Sequence, residues 1–116
     1  MGASVDIVNL GDVDPIELPL GSWSRMVAKG EQSSLGYSVF TPGTELSPVR
    51  HETEEVAYVV AGSGELRLDD GAVSFHEGDA MRIPAGLWHA VVNTGEEDVI
   101  MVFGFPHPDY PPTERR

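Results

Sequence analysis

GDAMRIPAGLWHAVVN, Gly78 to Asn93, is the stretch on which the fold turns. Met81 and Ile83 flank Arg82, the period of a strand with one face inward. Pro84-Ala85-Gly86 then breaks the run, because proline fixes one backbone angle and glycine frees another. Apolar residues resume after His89 and stop at Asn93. The segment predicts strand, tight turn and strand, with a histidine where the second strand starts.

The same punctuation continues outward on both sides. Thirteen glycines and nine prolines separate short runs rich in Val, Ile, Tyr and Phe. Strands are expected near Val5–Asn9, Leu35–Thr41, Glu45–His51, Glu55–Ala61, Glu65–Asp69, Val73–His76, Ala80–Ile83, His89–Asn93 and Val99–Phe105. Gly62-Ser63-Gly64, Asp69-Asp70-Gly71 and Thr94-Gly95-Glu96 suit hairpin turns. No window of about eleven residues carries a helical stripe, so the class is all-β, a sandwich or a barrel. Residues 1–116 read as one domain: an N-terminal arm with edge strands over 1–34, a barrel over 35–105 and a tail over 106–116. The arm would pack on the barrel or on a partner subunit. The tail, PHPDYPPTERR, holds four prolines and cannot be a central strand. It is either a surface tail or a flap over the barrel mouth, with Tyr110 or His107 reaching in.

VRHETEEV, Val49 to Val56, is the second informative stretch. It is not the helical metalloprotease motif HExxH, because Glu55 stands where the second histidine belongs. The β-branched residues that follow favour a strand. Longer spacings say more. Gly43 is followed by five residues, then Val-Arg-His, three residues, Glu55, six residues and Gly62. Gly78 is followed by five residues, Pro84-Ala85-Gly86, two residues, His89, three residues and Asn93. These two stretches resemble the cupin motifs G(x)5HxH(x)3–4E(x)6G and G(x)5PxG(x)2H(x)3N. The second matches at every fixed position, and the first at all but one.

The resemblance implies a cupin jelly-roll β-barrel, the double-stranded β-helix. It also implies one divalent metal (Fe, Mn, Ni or Zn) held by His51, Glu55 and His89. Val49 replaces the first histidine of HxH. Strand alternation puts it on the face of His51, so the barrel would present an apolar group where a ligand is usual. Two histidines and one carboxylate still suffice for Fe(II) in oxygenases or for catalytic zinc. The activities implied are dioxygenase, isomerase, lyase or cyclase chemistry on a small oxygenated organic molecule. A metal-free cup using a histidine as acid or base, and a non-enzymatic binding cup, are the alternatives.

Other residues receive provisional roles. Glu45 shares the parity of His51 and is a candidate fourth carboxylate. Arg82 and Arg50 are candidate anchors for an anionic substrate or surface ion pairs. Tyr37, Val39, Met81, Trp88, Met101, Phe103 and Phe105 would shape the cavity, and Tyr58 and Trp23 a subunit contact. Glu52, Glu54 and His76 read as solvated, and Asn93 as a structural hydrogen-bonder.

Composition narrows the partners. Nineteen acidic and seven basic residues give a net charge of −12, which opposes nucleic acid and anionic membrane surfaces. There is no cysteine, so any metal must be held by His, Asp or Glu. The start has neither the basic region nor the apolar region of a signal peptide, and Asp6 breaks a myristoylation motif. A cytoplasmic homodimer binding a small molecule is the expectation.

Overall fold

The computed structural model describes residues 4–116. Its strands are β1 (Ile16–Glu17), β2 (Trp23–Lys29), β3 (Ser34–Phe40), β4 (Val49–His51), β5 (Glu55–Ala61), β6 (Ser63–Leu68), β7 (Gly71–His76), β8 (Ala80–Ile83), β9 (Ala90–Val92), β10 (Val99–Phe105) and β11 (Thr113–Arg115). One layer is a six-stranded sheet in the order β1-β2-β3-β10-β5-β8. The other combines the ladder β7-β6-β9 with the pair β11-β4. A bridge between Val49 and His89, and another between Glu45 and Val92, tie those two pieces together. The fold is therefore the expected all-β jelly roll. Among the described residues no helix is long and apolar enough to cross a membrane.

Alternation explains the core. On β10, Val99, Met101, Phe103 and Phe105 point inward. On β5, Ala57 and Val59 do so, while Val56, Tyr58 and Val60 face out. Each large apolar side chain so buried contributes about 1.5–3 kcal/mol. Phe40, Val59, Phe75, Val99 and Met101 fill one end of the barrel, and Met26, Ala57, Phe103 and Phe105 the other. Gly36 lies opposite Phe103, and its missing side chain leaves room for that ring.

Several local expectations need correction. Val5–Asn9 forms no strand, and Val5 and Ile7 are exposed. The region before residue 35 is more than an arm, since β2 lies inside the large sheet. Its polar serines and Arg25 hid the apolar alternation. Asp69-Asp70-Gly71 makes a hairpin between β6 and β7. Gly62-Ser63-Gly64 does not: it carries the chain from one layer to the other. Gly62 has φ 86°, and a Cβ there would meet the Asp98 carbonyl at 2.5 Å. Thr94-Gly95-Glu96 likewise crosses between layers.

Candidate metal centre

The site is built where three strand ends meet. His51 closes β4, Glu55 opens β5, and His89 directly precedes β9. His51 Nε2 lies 3.2 Å from Glu55 Oε1, and His89 Nε2 lies 3.6 Å from the same oxygen. The three potential ligand atoms fall within 4.8 Å of one another. The side chains are only 10%, 15% and 6% exposed for His51, Glu55 and His89. The Phe105 ring meets His51 edge-on at 5.0 Å.

Hydrogen-bond accounting fixes the imidazole protons. The Thr113 hydroxyl donates its single proton to the Pro111 carbonyl at 2.9 Å. It can therefore only accept from His51, whose Nδ1 is 2.7 Å away. His89 Nδ1 lies 2.8 Å from the Leu87 carbonyl, which can only accept. Both rings thus carry a proton on Nδ1 and direct Nε2 at Glu55. That is the arrangement by which outer partners orient metal-binding histidines.

Electrostatics agree. Burial pushes the Glu55 carboxyl up, but hydrogen bonds and charge from His51 and His89 outweigh it and hold the group below the usual carboxylate range. Burial pushes His89 down, while the bonds to Glu55 and the Leu87 carbonyl more than offset this and raise it. Two imidazoles and one ionised carboxylate converging in a buried cluster fit a divalent cation, and binding would release the proton that Glu55 helps to hold on His89.

A cavity of about 480 Å³ opens beside this cluster, within the range of small-ligand sites. Val49 lines it together with His51, as alternation required. Met101, Phe103 and Phe105 form its apolar wall, joined by Tyr110, Ser24 and Ser38. Burial raises the Tyr110 phenol, which keeps its proton. Thr113 and Arg115 enter from β11, which pairs with β4 so that Thr113 faces His51 and Arg115 faces Val49. Glu114, between them, points outward to Arg50 at 2.8 Å.

The remaining candidates fall in different places. Glu45 is exposed and bonds Arg67 at 3.0 Å, because no continuous strand links it to His51 and the parity slips before Val49. Arg82 sits on the outer face of β8, 3.5 Å from Glu54. Arg50 lies over the Trp88 ring outside the barrel. Tyr37 and Val39 face outward, since Ser38 and Phe40 take the inward positions of β3. Of the two tail candidates, Tyr110 reaches the cavity and His107 does not; His107 bonds the Asp109 carbonyl in its own loop. His76 is exposed. Asn93 donates to the Phe40 and Glu97 carbonyls, a structural role. Ser24, Ser38, Thr113 and Arg115 escaped the sequence reading. Inward Thr and Arg on a three-residue strand leave no apolar period to notice.

Residues 36–105 match the cupin domain family. The chain belongs to the cupins. Among similar proteins, 5-nitrosalicylic acid 1,2-dioxygenase of Bradyrhizobium sp is 33% identical over 66 residues, 57% of this cupin and 32% of that protein. Polyketide synthase CurC of Streptomyces cyaneus is 33% identical over 70 residues, 60% of this chain and 46% of its own. The cupin thus spans less than half the length of either relative. In fold it is similar to the polyketide cyclase RemF from Streptomyces resistomycificus, with a TM-score of 0.81 over 97% of this chain and 85% of that one, at 23% identity.

Proposed function

We propose that this cupin is a metal-dependent enzyme acting on a small oxygenated ring compound or on a polyketone that closes into one. The observation that carries this is the convergence of His51 Nε2, His89 Nε2 and Glu55 Oε1, with both Nδ1 protons held by acceptors behind them. His51, Glu55 and His89 would hold one divalent ion. That ion supplies Lewis acidity toward a substrate oxygen. Val49 and the aromatic wall keep water from the rest of the cavity and hold an apolar body against the site. The names of the two sequence relatives, a dioxygenase of an aromatic hydroxy acid and a polyketide synthase component, support the substrate class.

Arg115 sets a preference for acidic substrates. Lys29, Arg50, Arg67, Arg82 and Arg116 each pair with a carboxylate. Arg25 bonds the Leu10 carbonyl. Arg115 has no carboxylate partner among the described residues and lies at the rim of the cavity. In a chain of net charge −12 it offers an anionic substrate a local exception. The outward Val56, Tyr58 and Val60 support pairing of two copies.

A second reading has its own observation. With its Nδ1 proton held by Thr113, His51 also has the form of a histidine base whose Nε2 faces the cavity beside Glu55. Elemental analysis of the tag-free protein decides between the two. About one equivalent of a transition metal, lost in His51→Ala and in His89→Ala, is expected. No metal after anaerobic reconstitution with Fe(II), Mn(II), Ni(II) and Zn(II) would leave the acid–base reading in its place.

A further inference from the structure

Two hydroxyl clusters lie on β2 and β3 and in the loops that flank them, and they end differently. Ser22, Thr41 and Thr44 contact one another at 2.8 to 3.3 Å. This cluster closes on backbone: the Thr41 hydroxyl donates to the Leu20 carbonyl at 2.7 Å, and Ser22 Oγ accepts from the Thr41 N–H at 2.9 Å. It lies outside the cavity and locks two loops together.

Ser38, Ser24 and Tyr110 form the other cluster. Ser38 Oγ–H donates to Ser24 Oγ at 3.0 Å, and Ser24 Oγ lies 2.8 Å from the Tyr110 hydroxyl. The two serines are register partners on adjacent strands, 6% and 4% exposed for Ser24 and Ser38. All three side chains line the cavity. Among the described residues their hydroxyls bond only each other. Three hydroxyls carry three protons, and two bonds consume two of them. One proton is left over, on Tyr110 or on Ser24 according to the direction of their bond, and the cavity is the space left to receive it. Alanines would complete this wall without burying polar groups, so paired serines beside Phe40 and Phe103 call for a polar occupant.

We infer that the Ser38–Ser24–Tyr110 chain is a subsite for a ligand oxygen, taking a carbonyl or phenolic oxygen carried on a flat apolar ring system. The rings of Phe103, Phe105 and Tyr110, with centroids 5.8 to 5.9 Å apart, supply the surface for that body. Edge and face contacts of this kind favour a planar partner. The inference rests on reading the cavity as the substrate site, and it does not need the metal.

The test compares 1-tetralone with tetralin, a bicyclic ketone and the same skeleton without oxygen. Binding of each to the full chain as purified is measured by calorimetry, with metal content assayed on the same sample. Wild type is expected to prefer the ketone by about tenfold, the size of one well-made hydrogen bond. The triple variant Ser24→Ala/Ser38→Ala/Tyr110→Phe, which leaves no hydroxyl proton in the cluster, should reduce that preference to about twofold or less, with tetralin affinity and metal content unchanged. Ser22→Ala, in the other cluster, should lower Tm and leave the preference intact. Equal binding of the two probes by wild type, or a preference that survives the triple variant, overturns the subsite. Loss of the preference in the triple variant, in a protein that stays metal-free even after reconstitution with Fe(II), Mn(II), Ni(II) and Zn(II), upholds the subsite while removing the metal reading. A retained preference in a metal-loaded protein does the reverse.

Discussion

His51 and His89 aim the same atom at the same carboxylate oxygen, yet they are held in unlike ways. His89 is held from two residues away, by the Leu87 carbonyl inside the turn that Pro84 and Gly86 shape. His51 is held from 62 residues away, by the hydroxyl of Thr113 on the C-terminal strand. One half of the centre is self-contained, and the other is finished by β11. The difference teaches that the tail belongs to the site. β11 orients His51, Tyr110 walls the cavity, and Arg115 stands at its rim.

The comparison can be broken most forcefully at the ligands themselves. His51→Ala and His89→Ala should each weaken metal binding more than about 100-fold, beyond what outer partners contribute. Competition with a chromophoric chelator measures this. If one variant keeps wild-type affinity, its histidine is not a ligand and the two halves are not equivalent.

Thr113→Val comes next. It removes the acceptor behind His51 and leaves the shape of the residue. Metal affinity should fall about 10- to 100-fold with Tm nearly constant. Thr113→Ser should restore most of it, and nitrogen NMR of the metal-free protein should show the Nδ1-protonated form of His51 lost only in the valine variant. An unchanged affinity in Thr113→Val would mean that His51, like His89, needs no help from the tail. A weaker effect is expected at Arg116, which pairs bidentately with Asp69 and lies over Trp88 at 4.2 Å. Arg116→Ala loosens the end of β11 without touching Thr113, so metal affinity should fall only a few-fold, in keeping with the small energy of exposed ion pairs. A loss as large as that of Thr113→Val would show that the strand's docking matters more than the single hydroxyl.

The same asymmetry governs how much was legible in the sequence. The second motif is local: Pro84, Gly86, His89 and Asn93 lie within ten residues, so spacing alone exposes it. Glu55 and His51 were legible for the same reason. Glu45 misled because parity counts only along an unbroken strand, and the chain around Ser47 and Pro48 is not one. Arg82 misled because alternation gives a face but not which face is inside. Thr113, Ser24 and Ser38 were silent. Their roles arise from pairings between residues 14 to 86 positions apart, which tertiary structure alone creates.

The smallest effect is a pH dependence of the metal-free protein, and it tests the point where the two halves meet. Glu55 titrates below its ordinary 4.5 when folded, so its contribution to stability is present above 4.5 and fades as pH falls through the lowered value. His89 titrates above its ordinary 6.5, so its contribution is complete below 6.5 and fades as pH rises through the raised value. The two together stabilise the apo fold most between pH 4.5 and 6.5. Glu55→Gln removes the shared partner. The Tm difference between wild type and Glu55→Gln should therefore be largest in that window, by a few degrees, and shrink on both sides. A bound metal would replace the His89 Nε2 proton, so in the loaded protein the upper limb should vanish and affinity should rise with pH instead. A Tm difference that is flat across the range would mean that Glu55 and His89 are not coupled. The contact at 3.6 Å would then be mere proximity, and the two halves of the centre would meet only through the metal.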